Sequence, residues 1–240
     1  MAKQLDILAF GAHPDDVELS CGGTIAKAVS SGKKVGIIDL TRGELGTRGS
    51  ADLRDEEAKR AASILGISLR ENLCMRDGFI KNDESSQIAI IKILRKYRPK
   101  VVLCNAQKDR HIDHGRAASL VYDACFLSGL RKIETVLGDN PQKPWRPSQV
   151  YHYMQWNNDP CDFVVDISEF MEKKMSSILS YGSQFYNEKL KEPETPISSQ
   201  LFLDSIQNRA ADLGRMIGVR YAEGFTTQRI LAVTQISDLI

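Results

Sequence analysis

LDILAFGAHPDDVELSCGGTIAKAV fills residues 5–29. Its opening, residues 5–10, is almost wholly apolar, the pattern of a β-strand buried on both faces. Residues 22–31 have helical spacing. Between strand and helix stand His13, Pro14, Asp15 and Asp16. Adjacent carboxylates repel each other, and a histidine beside them at a strand end serves no packing purpose. The group implies a positively charged partner.

Outward from this stretch the same alternation repeats. KVGIIDL (34–40), residues 72–75 and VVLCN (101–105) read as strands. Residues 53–65 read as a helix with Gly66 as its stop, residues 85–97 as an amphipathic helix ended by Pro99, and residues 115–126 as a third. Continuously apolar strands separated by helices predict a mostly parallel sheet with helices on both faces. With right-handed crossovers this is a Rossmann-like α/β fold. Beyond residue 130 the pattern loosens. GDNPQKPWRPSQ (138–149) is a Pro-rich loop, 150–154 and 163–166 read as strands, and 168–181 and 202–214 read as helices, with KEPETPISS (191–199) as a linker. The expectation is one domain over residues 1–240 with an elaborated C-terminal portion.

Composition narrows the class. The 240 residues are 42% hydrophobic and 26% charged, with 32 basic and 31 acidic residues and a formal net charge of +1. No basic footprint for nucleic acid is present. No stretch approaches the ~18 apolar residues of a membrane span, and no secretory leader is visible. Cys21, Cys74, Cys104, Cys125 and Cys161 form no CxxC pair, so a reduced, cytoplasmic protein is expected. Cys21 lies near the opening motif, but a small buried residue is its better reading.

In an open parallel sheet, ligands bind outside the carboxyl ends of the strands. Three loops leave that edge: HPDD after the first strand, TRGELGTRG (41–49) after the second and NAQKDRHIDH (105–114) after the fourth. Of four histidines, His13, His111 and His114 lie in two of these loops, beside Asp15, Asp16 and Asp113; His152 lies apart and reads as structural. Two imidazoles and a carboxylate form the open catalytic arrangement for Zn²⁺, with Fe²⁺ also suited. Of the two adjacent aspartates, one can bind the ion while the other takes a proton from water. A His111 imidazole held by Asp113 can stay charged and stabilise an oxyanion or protonate a leaving amine. Hydrolysis of an amide follows as the expected chemistry. Asp77 in MRDGF could hold sugar hydroxyls or merely make a turn. Arg110 could meet a carboxylate or stay solvated. Gly22 and Gly23 point to close packing of the helix, not to a phosphate cradle.

GAHPDDVELSCGGT, followed about 100 residues later by HIDH, resembles the LmbE/PIG-L family of metal-dependent N-acetylglucosamine deacetylases over at least residues 5–130. TRGELGTRGSADLRDEEAKRAASILGI is similar to one branch, the bacillithiol biosynthesis deacetylases, which remove acetyl from a GlcNAc–malate conjugate. The resemblance implies His13, Asp16 and His114 as metal ligands and Asp15 as general base. It implies His111 and Asp113 as the charged histidine and its orienting aspartate. It also places Arg54 near the sugar or its aglycone, the alternative being a helix-surface salt bridge with Glu56 or Glu57. Ile112 stands where many relatives carry proline, a change expected to be neutral. Tyr186 in YGSQFY is a candidate for a mobile tyrosine at the oxyanion. A homo-hexamer is implied by analogy, with the 138–149 loop as a contact. GlcNAc–malate is the expected substrate, its carboxylates read by Arg54 and Arg110. The alternatives are a deacetylase of another amide, such as diacetylchitobiose or a xenobiotic, a non-catalytic metal-binding protein, and a nucleotide-binding module. For the last, Asp39 ends the second strand suitably, but the first turn carries HPDD in place of GxGxxG.

Overall fold

Strand β1 (Ile7–Gly11) lies inside the sheet, between β2 (Val35–Thr41) and β4 (Val101–Cys104). Alternate side chains of a strand face opposite ways. Leu8 and Phe10 join Ile38, Leu40 and Val102 in one core, and Ala9 joins Ile37 and Leu103 in the other. A strand buried on both faces has no polar side, which is why its sequence is an unbroken apolar run. The structure, a computed structural model, describes residues 4–186 and 192–238.

Its main sheet has seven strands in the order β3-β2-β1-β4-β7-β9-β8, with β3 (Leu69–Met75), β7 (Gln149–Tyr153), β8 (Phe163–Asp166) and β9 (Ala222–Thr227) completing it. The pairings from β3 through β7 are parallel, and β9 runs antiparallel to both β7 and β8. Helices α3 (Glu84–Tyr97) and α4 (Ile112–Leu127) cover one face, and α1 (Asp16–Ser30) covers the other. A third core joins α2 (Ala51–Leu65), α5 (Met171–Leu179) and α6 (Gln200–Met216) through Ala58, Ile178 and Ile206. This is the α/β architecture expected, mostly parallel and covered on both faces. A small hairpin, β5 (Val136–Leu137) and β6 (Asn140–Pro141), opens the Pro-rich loop. Among the described residues no helix is long and apolar enough to cross a membrane.

Several boundaries differ from the sequence reading. α1 begins at Asp16, six residues before Gly22, so the two glycines lie inside the helix. The helix kinks at Cys21 (φ −138°, ψ 21°), and there the Glu223 carboxylate of β9 accepts from the N–H of Gly23 (3.0 Å) and of Thr24 (2.7 Å). A carboxylate brought from the far end of the chain satisfies groups that the kink frees. Helix α4 likewise begins three residues before Gly115, and β3 begins three before Asn72. The stretch 168–181 divides into a 3₁₀ turn, Ser168–Phe170, and α5. Strand β9 was not anticipated: AEGFTT carries little strand signal and is fixed by pairing with β7 and β8. Lys191, which opens the expected linker, lies outside the described residues.

Gly23 is where close approach demands glycine. A Cβ there would stand 2.7–2.9 Å from three side-chain atoms of the fully buried Ile167. Overpacking of this kind costs roughly 1–3 kcal/mol, against about 1 kcal/mol gained in helix propensity. Gly23→Ala is therefore expected to destabilise, seen as a lower urea midpoint at unchanged m-value.

Candidate metal centre and active site

The loops after β1 and β4 are tied together before any ion is considered. The side-chain carbonyl of Asn105, at the end of β4, accepts from Ala12 N (3.0 Å), and Thr41 Oγ1 donates to Ala12 O (2.9 Å). This fixes the turn in which Asp15 takes φ 119° and ψ −26° and Asp16 becomes the first helical residue. A non-glycine residue at such a φ is strained backbone of the kind concentrated at functional sites.

The Asp16 carboxylate is the hub. Its Oδ2 accepts from His13 N (3.0 Å) and Asn105 Nδ2 (2.9 Å), and its Oδ1 accepts from Gln155 Nε2 (3.1 Å). His114 Nε2 lies 3.1 Å from Oδ1, and His13 Nδ1 lies 3.6 Å from Oδ2. His13, Asp16 and His114 are thus brought together as expected. The three histidine rings lie 4.6–5.6 Å apart, centroid to centroid. Among the described residues, two sets of donors lie close enough to share a cation: His13, His111 and His114, and His13, Asp77 and Asp113.

Electrostatics test whether a metal fits. Burial opposes charge on His13, but hydrogen bonds with Asp113, Asp16 and Asp77 outweigh it and raise its pKa well above the usual imidazole range. Burial likewise opposes charge on His114, yet the Asp16 charge and hydrogen bonds to Asp109 and Asp16 raise it to about 9. Asp16, Asp77, Asp109 and Asp113 all sit below the usual carboxylate range: burial alone would raise each, but the neighbouring histidines and hydrogen-bond donors outweigh it. Four carboxylates therefore converge on positive charge carried by ring protons. A divalent cation bound through nitrogen and oxygen donors answers the same demand, so these residues fit one.

The fit has a measurable consequence. Metal binding must displace the protons of His13 and His114. At pH 7.5, Zn²⁺ uptake is expected to release roughly two protons per site, read by titration calorimetry in buffers of differing ionisation enthalpy. Uptake without proton release would contradict the cluster. In the metal-free protein, the His114 pKa of about 9 stands above its unfolded value near 6.5. Its contribution to stability is full below about pH 6.5 and is lost as pH rises through about 9.

Asp15 differs from its neighbours. It is 5% exposed and faces the cavity, yet its carboxylate makes no hydrogen bond or ion pair among the described residues. Burial raises its pKa, the Arg54 charge lowers it and Asp16 raises it again, leaving it at about 7. That is the tuning expected of a general base working near neutrality.

The expected pairing of His111 with Asp113 is corrected. His111 Nδ1 accepts from the backbone N–H of Asp113 (3.2 Å), while the Asp113 carboxylate accepts from Gly78 N (2.6 Å) and Arg116 Nη1 (3.2 Å) and stands 3.7 Å from His13 Nε2. His111 sits below its usual pKa because of burial and the charges of His13 and His114. With Nδ1 occupied as an acceptor, the neutral ring carries its proton on Nε2. The reason is positional: His111 is the N-cap of α4, and capping commits its side chain to the helix backbone.

Asp77 is also re-placed. Its Oδ1 lies 3.0 Å from His13 Nε2 and its Oδ2 accepts from Leu45 N (2.9 Å), so it grips a histidine of the cluster. Arg54 is 6% exposed and makes no surface salt bridge with Glu57, which instead accepts from Ser183 N (2.8 Å) and Oγ (2.6 Å). Gly43 and Gly46 leave room for its guanidinium; a Cβ on Gly46 would stand 2.9 Å from Nη2. Arg110 is exposed and lies over the Trp156 ring, 4.5 Å from its centroid. Tyr186 is 40% exposed. Cys21 is fully buried at the α1 kink, and His152 is buried with Nδ1 2.8 Å from Asn105 O, both as expected. Asp39 is engaged on both oxygens by Arg70 (2.7 and 2.8 Å), which removes it as a ribose ligand.

Sequence reading missed Asp109, Asn105 and Gln155. Asp109 Oδ1 lies 2.9 Å from His114 Nδ1 and fixes that ring, as carboxylates behind ligating histidines do. Its place in the NAQKDRHIDH loop was a usable signal; nothing local marked Gln155.

The site opens into a cavity of about 1000 Å³ that runs from the histidines past Trp156 to α6. This lies at the upper end of the ~300–1,000 Å³ usual for small-molecule sites, which is room for more than one sugar.

The chain is similar to several known proteins. A family profile described as PIG-L: GlcNAc-PI de-N-acetylase matches residues 8–125. The diacetylchitobiose deacetylase of Thermococcus kodakarensis is 31% identical over 91% of this chain and 81% of its own. The crystal structure of the conserved protein TT1542 from Thermus thermophilus superposes with a TM-score of 0.85 at 34% identity, over 96% of this chain and 98% of that one. The 4-oxalmesaconate hydratase of Pseudomonas putida is 27% identical over 92% of this chain and 88% of its own.

Proposed function

The chain belongs to the PIG-L family of metal-dependent de-N-acetylases, and from that premise we propose that it hydrolyses the acetamide of an N-acetylglucosaminyl conjugate to acetate and the free amine. The observation that carries this reading is Asp15, a buried carboxylate with a pKa of about 7 and no partner among the described residues, set beside a cluster built to hold a cation.

In this reading His13, Asp16 and His114 would hold the ion, with Asp109 fixing His114 and Asn105 and Gln155 fixing Asp16. Zn²⁺ suits two imidazoles and a carboxylate, and Fe²⁺ is the second choice. When bound, the ion supplies a lowered water pKa and polarises the acetamide carbonyl. Asp15 takes a proton from the attacking water and delivers it to the leaving nitrogen. His111, neutral, donates its Nε2–H to the developing oxyanion. Arg54 pulls the Asp15 pKa down against burial and, at the cavity wall with Arg110, meets the substrate beyond the acetamide. A Tyr186 contact to the oxyanion and a domain spanning residues 1–240 belong to the same reading.

The second half of the conjugate has two candidates. The Thermococcus relative supports N,N′-diacetylchitobiose; the arginines at the cavity wall support GlcNAc–malate. Assay of free-amine release from both, beside plain GlcNAc, tests the reading; release from none overturns it. A homo-oligomer, a hexamer by family analogy, is supported by exposed Val136 and Leu137 on the 136–141 hairpin, and a cytoplasmic setting by five unpaired cysteines.

A further inference from the structure

The cavity is also walled by side chains that the hydrolytic chemistry does not use. Trp156 and Phe202 stack there at 5.7 Å between centroids and 17° between planes. Arg209, on the same helix α6 as Phe202, is half-buried and lines the same cavity. Among the described residues its guanidinium has no hydrogen bond and no carboxylate within ion-pair distance. The charges acting on it are Asp109 and Glu223, and both are committed elsewhere. Asp109 holds His114 Nδ1 (2.9 Å) and accepts from Trp156 N (2.8 Å). Glu223 holds Lys174 Nζ (2.5 Å) and the backbone of Gly23 and Thr24. Asp212, also on the cavity wall, pairs with Arg215 (2.8 Å). A guanidinium partly removed from water and left unpaired is costly unless something completes it.

We infer that Arg209 is a specificity residue that binds an oxyanion, a carboxylate or a phosphate, carried by the part of the substrate that lies against the α6 wall of the cavity. The inference rests on the deacetylase reading for the identity of the substrate's other end, but the anion site stands on the cavity alone. A planar guanidinium binds either oxyanion through two parallel hydrogen bonds. Partial burial lowers the dielectric around Arg209, which strengthens such a contact. A neutral second sugar would leave Arg209 unpaired.

The test uses the metal-loaded protein and two readouts. First, malate and inorganic phosphate are titrated calorimetrically into wild type and Arg209→Gln. Binding weakened roughly ten- to a hundred-fold in the variant is expected. No binding to wild type, or equal binding to both proteins, as an anion held at the metal would give, overturns the inference. Second, kcat/KM is compared for GlcNAc–malate, GlcNAc 1-phosphate and N,N′-diacetylchitobiose. Arg209→Gln should lose one to two decades on an acidic conjugate, mainly through KM, and little on diacetylchitobiose; which acidic conjugate suffers distinguishes carboxylate from phosphate. The same loss on all three overturns it. Arg209-dependent anion binding with no amine release from any GlcNAc compound supports the anion site and overturns the deacetylase reading instead, favouring an acidic substrate for water addition, as the name of the Pseudomonas relative suggests.

Discussion

Asp15→Asn is expected to keep its metal and lose roughly 10²–10⁴ in kcat, the usual range for removing a general base. The side chain makes no hydrogen bond among the described residues and caps nothing, so an isosteric amide disturbs little around it. Stability should barely change, and metal content by plasma emission should match wild type. The pH profile is the sharper measurement. Burial puts Asp15 at about 7 against the pull of Arg54, and a bound cation draws it lower, so wild-type kcat/KM should fall on the acid side of neutrality. In Asp15→Asn the residual rate should lose that acid limb. Retention of the limb would move the base to another group. Loss of metal in this variant would exchange the roles of Asp15 and Asp16.

His114→Ala is expected to have the larger effect: metal lost on dialysis and activity reduced to background. The ring meets Asp16 Oδ1 at 3.1 Å and Asp109 Oδ1 at 2.9 Å. Removing it leaves two buried carboxylates facing a void and takes a nitrogen donor from the cluster. Asp109→Asn provides a graded comparison, since it loosens the ring without deleting the donor and should weaken metal affinity by roughly 10–100-fold. Full retention of metal by His114→Ala would overturn the proposed ligand set. So would a collapse of metal binding in Asp109→Asn as complete as in His114→Ala, because the ring would then be secondary to the carboxylate behind it.

Both variants depend on residues whose placement could be read from sequence. A buried parallel strand needs apolar side chains on both faces, and residues 5–10, 34–40 and 101–105 show that directly. Because such strands present their carboxyl ends on one edge, the loops carrying His13, Asp16, His111 and His114 were bound to meet. Fold class and metal cluster followed from short-range pattern plus one topological rule. Helix starts were less legible. Gly22 and Gly23 look like an opening, yet α1 begins at Asp16, because a carboxylate from residue 223 satisfies the kink in its middle.

What the sequence alone determined is the chemistry available at the sheet edge: three histidines and a paired aspartate. What only the tertiary structure decided is how those groups divide the work. Adjacency in HPDD does not distinguish Asp15 from Asp16. The difference arises because Asn105, Gln155 and two histidines converge on Asp16 from distant parts of the chain and hold its carboxylate ionised, while Asp15 meets burial and one arginine. Asp113 looks like the partner of His111 in HIDH, but the capping geometry of α4 turns its carboxylate toward Gly78 and His13. Arg209 carried no signal at all in the sequence; its meaning comes from being enclosed in a cavity where neighbouring acids already have partners. pKa values and unpaired charges are sums over everything nearby in space, and spatial neighbours of high sequence separation cannot be read from spacing.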